Sequence, residues 1–282
     1  MKVNINDLTF GAEIELEHIC TFDAAIAVAS VIGGTPILTG GYYGKYEIKD
    51  SQGRTWTTMF DGSLNDGCET VTPPLHFSDI ETVQAVLRAL RSAGGREASN
   101  AGIHIHVDGS RHTPKTLCQL ARQVAAKEPM LMHALGVDSR RSNYTRTITD
   151  RFVRAIKHNH QTFDSIRKAW YENVDAGAGC ETTHYHSSRY HGLNLHSFFN
   201  GIGTTEFRWF NSTTHAGKLR AYITLCLSLV VRSLNAGAVS AKPTTNWTRN
   251  AFCAWLRQKL EIRDKNVRKH LLERFARRTI AA

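Results

Sequence analysis

Three observations predict an α+β fold. Several short segments alternate polar and apolar residues with a period of two, as half-buried strands do. From Thr113 to about Asn173 apolar residues recur instead at helical spacing, through Leu117, Leu120 and Val124 and on to Phe152, Val153, Ile156, Phe163 and Ile166. The end of the chain, Trp247 to Arg278, reads as one or two basic amphipathic helices with Phe252, Trp255, Leu256 and Leu260 on the inner face.

The first strand covers about 9–19. A helix over 23–32 follows and stops at Gly33-Gly34. Shorter strands are expected near 36–39, 43–49 and 54–60, then a turn at Asp61-Gly-Ser. Cys68-Glu-Thr-Val-Thr is a further strand, stopped by Pro73-Pro74. Ser78-Asp-Ile-Glu81 has the spacing of a capping box and should open a helix to about Ser92, closed by Gly94-Gly95. The strand Gly102 to Val107 comes next, then the helical stretch. After a Gly-rich loop at 174–188, strands are expected around Leu193 and over 204–210. A long apolar helix covers about 216–235. The expected organisation is a body over 1–240, with a helical insertion at about 113–173, and a basic helical extension over 241–282.

Three of these strands carry ionisable side chains in rows. Alternation puts Glu13, Glu15 and Glu17 on one face of the first, His104 and His106 on one face of the 102–107 strand, and Glu206 and Arg208 on one face of the 204–210 strand. Such rows need water or cations. Glu13, Glu15, Glu69, His104 and Glu206 form a hard-oxygen set with one imidazole, suited to Mg2+ and tolerant of Mn2+ if the strands are neighbours. Arg208 beside Glu206 would stabilise negative charge at a phosphoryl group. The set therefore supports a metal-dependent enzyme that handles phosphoryl groups.

Composition narrows the setting. Six cysteines (20, 68, 118, 180, 226 and 253) show no Cys-x-x-Cys pair, which suits free thiols. The N-terminus has no apolar signal region, and the longest apolar run, Ala221 to Val231, is too short to span a bilayer. A soluble cytoplasmic protein is expected. The net charge of +10 is unevenly placed. Residues 1–138 hold 11 Lys/Arg against 16 Asp/Glu, whereas 139–168 hold 8 against 2 and 249–282 hold 10 against 3. Those two basic segments either bind an anionic polymer, such as nucleic acid or a cell-wall precursor, or form solvated faces.

Four motifs in order carry a resemblance to a known family. They are Phe10-Gly-Ala-Glu-Ile-Glu15; Asp61-Gly-Ser-Leu64 with Cys68-Glu-Thr-Val-Thr-Pro-Pro-Leu75; Gly102-Ile-His-Ile-His-Val107; and Arg189-Tyr-His-Gly-Leu-Asn-Leu195 with Thr205-Glu-Phe-Arg-Trp-Phe-Asn-Ser-Thr213. Over about residues 8–235 the chain resembles the amidoligases, a family of the glutamine synthetase-like carboxylate–amine ligases. The resemblance implies an antiparallel sheet with a concave active-site face, helices packed behind it, ATP and Mg2+. It further implies an amide or isopeptide bond made through an acyl phosphate, with ADP and phosphate released, from small-molecule or peptide carboxylates and amines. By position Glu13, Glu15, Glu69, His104 and Glu206 match metal ligands. His106 matches a residue near the nucleotide phosphates, and Arg208 the arginine facing the reacting carboxylate. Arg189, Asp61 and Asn194 match phosphate- or substrate-contacting positions. Glutamine synthetase has one further metal carboxylate with no clear counterpart here, so the number of metal ions stays open.

Two other classes compete. His104-Ile-His106 is similar to the His-x-His of metal-dependent hydrolases, although there the pair opens the domain. A nucleic-acid-binding protein without ligase activity would use Arg140 to Arg146 and the basic tail with Trp247 and Trp255. Cys180, His184, His186 and His191 match no common zinc spacing.

Overall fold

The computed structural model describes residues 2–41, 44–156, 162–174, 180–245 and 248–277. Trp247 and residues 175–179 of the Gly-rich loop lie outside them. Among the described residues nine strands form one sheet: β1 (Thr9–Glu17), β2 (Ile37–Gly40), β3 (Lys45–Lys49), β4 (Thr55–Phe60), β5 (Gly67–Val71), β6 (Leu75–His76), β7 (Gly102–Asp108), β8 (Leu193–Asn194) and β9 (Thr204–Asn211). The order is β2-β3-β4-β5-β1-β7-β9-β8, with β6 paired to the start of β1. Each of these pairings is antiparallel.

Helices α1 (Thr21–Ile32), α2 (Ile80–Ser92), α3 (Pro114–Leu135), α4 (Asp150–Ala155), α5 (Phe163–Asn173), α6 (His196–Phe199), α7 (Ala216–Asn235), α8 (Arg249–Gln258) and α9 (Lys265–Arg277) complete the fold. The apolar residues of the central strands (Phe10, Ala12, Ile14 and Leu16 of β1; Ile103, Ile105 and Val107 of β7) are buried. They share one core with Ala24 and Val28 of α1, Val83 and Leu87 of α2, and Leu225 and Leu229 of α7. Helix α1 lies on β3, β4 and β5, α7 lies on β7, and α2 touches both helices. Helix α9 packs on α7 and α3, and α8 on α9. The expected inner-face residues Phe252, Trp255, Leu256 and Leu260 are buried in that same core.

Local signals explain most boundaries. Gly33, at φ +76°, ends α1 where L-residues are strained. Thr113 caps α3 through the Thr116 N–H, with Pro114 in the first turn. The start of α2 departs from expectation. No Ser78–Glu81 box forms; a 3-10 turn over Phe77–Asp79 precedes the helix. Asp79 instead accepts the His76 N–H at 3.0 Å and is clamped by Arg54 at 3.0 Å. The cause is β6, two residues long and too short for a periodic signal, which holds Leu75 and His76 extended against β1.

One irregularity positions chemistry. Ile103 pairs with Phe210 but Ile105 pairs with Phe207, so β9 carries an extra residue opposite β7. This bulge sets both Arg208 and Trp209 across from His104. Strict alternation would have kept Phe210 out of step with Phe207, yet both face core partners.

Candidate active site

The sheet brings the ionisable rows together through register. Glu13 stands opposite His104 across β1 and β7, and Glu15 opposite Glu69 across β1 and β5. His106 stands opposite Glu206 across β7 and β9, and Asn194 opposite Glu206 across β8 and β9. Because alternate residues of these strands enter the helix-covered core, the carboxylates and imidazoles lie on the other face.

Contacts within the row are close. His104 Nδ1 is 2.7 Å from Glu13 Oε2, and its Nε2 is 3.6 Å from Glu15 Oε1. His106 Nε2 is 3.1 Å from Glu13 Oε1, and its Nδ1 is 2.8 Å from Thr204 Oγ1. Arg208 Nη1 donates to Glu206 Oε1 at 2.5 Å. Among the described residues two groups of side chains offer ligand atoms within 4.8 Å of one another: Glu13, His104 and Glu206; and Glu15, Glu69 and His104. His104 belongs to both.

Charge balance follows from burial. Burial alone disfavours the Glu13 carboxylate, but the His106 charge and hydrogen bonds from both histidines hold it well below the usual carboxylate range. Glu206 is likewise lowered, with burial outweighed by Arg208 and His106. Glu69 moves the opposite way: burial and the charges of Glu13, Glu15 and Asp61 raise it well above the ordinary value. His106 is raised by Glu206 and Glu13 against the cost of burial. The protein's own cations thus satisfy Glu13 and Glu206 and leave Glu69 in surplus. A divalent cation fits such a donor set.

The row opens into a cleft of about 600 Å³. Glu13, Glu15, Glu69, His104 and Arg208 line its floor, with Asp61 on the β4–β5 turn and Arg189 on its wall. Arg189 lies 5.1 Å from the centre of the Tyr185 ring and 5.9 Å from that of Tyr190. Two predicted contact residues sit behind the floor. Asn194 is buried, donates to Glu206 Oε2 at 2.6 Å and accepts the His196 N–H at 2.8 Å. His106 is buried between Glu13 and Thr204. Arg208 Nε is buried and has no hydrogen-bond partner.

Several supporting residues escaped sequence reasoning. Arg141 reads as part of a basic run that either binds an anionic polymer or forms a solvated face, yet it is only 2 % exposed. Its guanidinium donates to the carbonyls of Phe210 (2.6 Å) and Arg208 (3.1 Å), pinning the bulge. Glu128 is fully buried in α3 and accepts from Trp209 Nε1 at 2.9 Å and the Ile148 N–H at 2.7 Å. A lone carboxylate among apolar helix positions was the available signal for Glu128; nothing local marks Arg141. No group of ligand-spaced atoms among the described residues includes Cys180, His184, His186 or His191. His186 stacks on His196, and His191 bonds the Ser188 carbonyl.

A search of the curated proteins finds no match. The family model described as "Putative amidoligase enzyme" matches residues 6–230, a span that runs from just ahead of β1 into α7 and holds every residue of the ionisable row. The chain belongs to this amidoligase family.

Proposed function

We propose that the protein is an ATP-dependent carboxylate–amine ligase with a glutamine synthetase-like site. The observation that carries this reading is the pair of carboxylate–imidazole sets sharing His104, with Arg208 beside them. Membership of the amidoligase family supports amide-bond formation. A carboxylate is a poor electrophile, and transfer of the terminal phosphoryl of ATP turns it into an acyl phosphate that an amine can attack, releasing phosphate.

Glu13, Glu15, Glu69, His104 and Glu206 would hold Mg2+ or Mn2+. When bound, the metal would neutralise triphosphate charge and polarise the transferring group. Arg208 is fixed by Glu206 on one side and keeps a free buried Nε–H for a phosphoryl or carboxylate oxygen. Asn194 holds the second Glu206 oxygen in place, so Glu206 can orient both a cation and Arg208. Arg189 and its two tyrosines flank the cleft mouth, where an incoming carboxylate would meet a cation.

The test is a turnover screen over carboxylate and amine pools, with product masses identified. Expected is ADP and phosphate formed only when a carboxylate is present. Formation of AMP and pyrophosphate would refute acyl phosphate chemistry. Glu206→Gln should abolish turnover with an unchanged circular dichroism spectrum, since it removes one charge and little volume.

A further inference from the structure

A cavity lies away from the cleft, in the angle between α3, α7, α8 and the 236–245 link. Its volume is about 320 Å³. Lys127, Arg232, Lys242 and Lys259 line it, and among the described residues no Asp or Glu does. A larger cavity beside it shares Arg232 and Lys259, but there Glu261 and Asp264 supply counter-charge. Four cations around a small concavity repel one another, and none of its described lining residues is a carboxylate that would offset the repulsion.

The walls are built rather than loose. The link is pinned to α3 by the Thr244 N–H on the Ala126 carbonyl (3.0 Å) and by Gln119 Nε2 on the Gly237 carbonyl (3.1 Å). Lys127 Nζ is held by Thr244 Oγ1 at 2.5 Å, and Arg232 Nη1 by the Lys259 carbonyl at 3.3 Å. Burial and the Arg232 charge together push the Lys127 ammonium down from its ordinary value. A second, independent feature is Gln123, 3 % exposed and lining the same cavity. Its Nε2 donates to the Leu229 carbonyl at 2.6 Å, which fixes the amide, and its Oε1 has no partner. An occupant of this cavity should therefore bring anionic oxygens for the cations and an O–H for Gln123.

We propose that the cavity formed by Gln123, Lys127, Arg232, Lys242 and Lys259 binds a compact phosphate-bearing anion. Phosphate oxygens match both ammonium and guanidinium donors, and a phosphate retains or carries a hydroxyl. A single-stranded nucleic acid fits less well, because it needs exposed aromatic faces for its bases. Among the described residues the one aromatic in the lining is Trp255, and its ring already packs on Phe252 (5.8 Å between centres) and under Lys127 (5.9 Å).

The experiment is calorimetric titration of the full chain with inorganic pyrophosphate at low salt, with a chelator present so that metal-dependent binding in the cleft is suppressed. Saturable binding is expected, weakening as salt rises. It should be accompanied by a higher melting temperature, since the ligand binds only the folded state. Lys242→Ala and Lys259→Ala, both at exposed positions, should each weaken binding about tenfold or more and keep the native melting temperature without ligand, whereas Glu206→Gln in the cleft should leave it unchanged. No saturable binding of pyrophosphate overturns the proposal. So does binding that survives both lysine changes or disappears with Glu206→Gln. Preferential binding of a single-stranded oligonucleotide over pyrophosphate overturns it in favour of a polymer.

Discussion

At the scale of single residues, Arg208 and Glu128 make separable predictions. Arg208 has one nitrogen committed to Glu206 and a buried Nε with no partner. Lysine would keep the charge and lose the planar fork. Arg208→Lys should therefore lower kcat by about 10²–10³, as when one donor to developing charge is removed, while the KM for ATP changes far less. A variant with normal kcat and weak ATP binding would make Arg208 a nucleotide anchor instead. Glu128 tests burial. Its pKa is raised by burial from 4.5 to about 7, against the opposing pull of the Ile148 and Trp209 hydrogen bonds. Below about pH 4.5 both folded and unfolded chains hold the proton. As pH rises toward 7 the unfolded chain releases it first, so folding stability falls across that window, by roughly 3 kcal/mol in all. Glu128→Gln removes the titration and leaves one donor short of an acceptor, costing about 1–3 kcal/mol. In urea unfolding the variant should be less stable than wild type near pH 4.5 and gain on it by pH 8. A gap of the same size at both pH values would show that Glu128 does not titrate there.

At the scale of elements, the β9 bulge is the feature that aims Arg208, and Gly192 guards it. The Gly192 carbonyl accepts the Arg208 N–H at 2.8 Å. A Cβ on Gly192 would lie 1.8 Å from Trp209 Nε1 and 2.6 Å from Glu128 Oε1. Gly192→Ala must displace the Trp209–Glu128 bond, so it should cost about 2–4 kcal/mol of stability and lower kcat together with it. An alanine variant with wild-type melting temperature and rate would mean that the indole can move without disturbing Arg208. Sequence reading reached the strands of the row because period-two alternation and side-chain chemistry coincide in β1, β7 and β9. It reached the helices through apolar spacing, as at Leu117, Leu120 and Val124, and through terminating glycines such as Gly33. It missed β6 and the bulge because both are set by pairing with a distant strand. Arg141 was missed for the same reason: its environment is created by the Arg208 and Phe210 carbonyls, far along the chain. Asn194 came to notice only through the family resemblance, as a phosphate- or substrate-contacting position, and its hydrogen bonds to Glu206 and His196 were not legible.

At the scale of the whole molecule, the basic C-terminal helices are part of the main core. Phe252, Leu256, Val267, Leu271 and Phe275 are buried with residues of α3 and α7. Each such side chain contributes about 1.5–3 kcal/mol when buried, and their sum is comparable to the whole stability of a typical domain. A chain ending at residue 248 should therefore melt at a much lower temperature or fail to fold, as read by circular dichroism on heating. A truncated chain with native melting would place these helices outside the cooperative unit. Among the described residues no helix is long and apolar enough to cross a membrane.

The antiparallel order of the sheet also bears on how the protein comes into being. Glu13 reaches His104 across 91 positions of sequence, and the β1 segment that carries it lies between β5 and β7, with β9 beyond. No contiguous half of the chain contains the complete row. Loop closures this long must be made before the contacts reward them, so folding should be slow for a domain of this size. A nascent chain emerging from the ribosome would hold the carboxylates of β1 long before β9 exists to meet them. The row can then be completed only after β9 has been made, and it is lost when the sheet opens at either of the seams flanking β7.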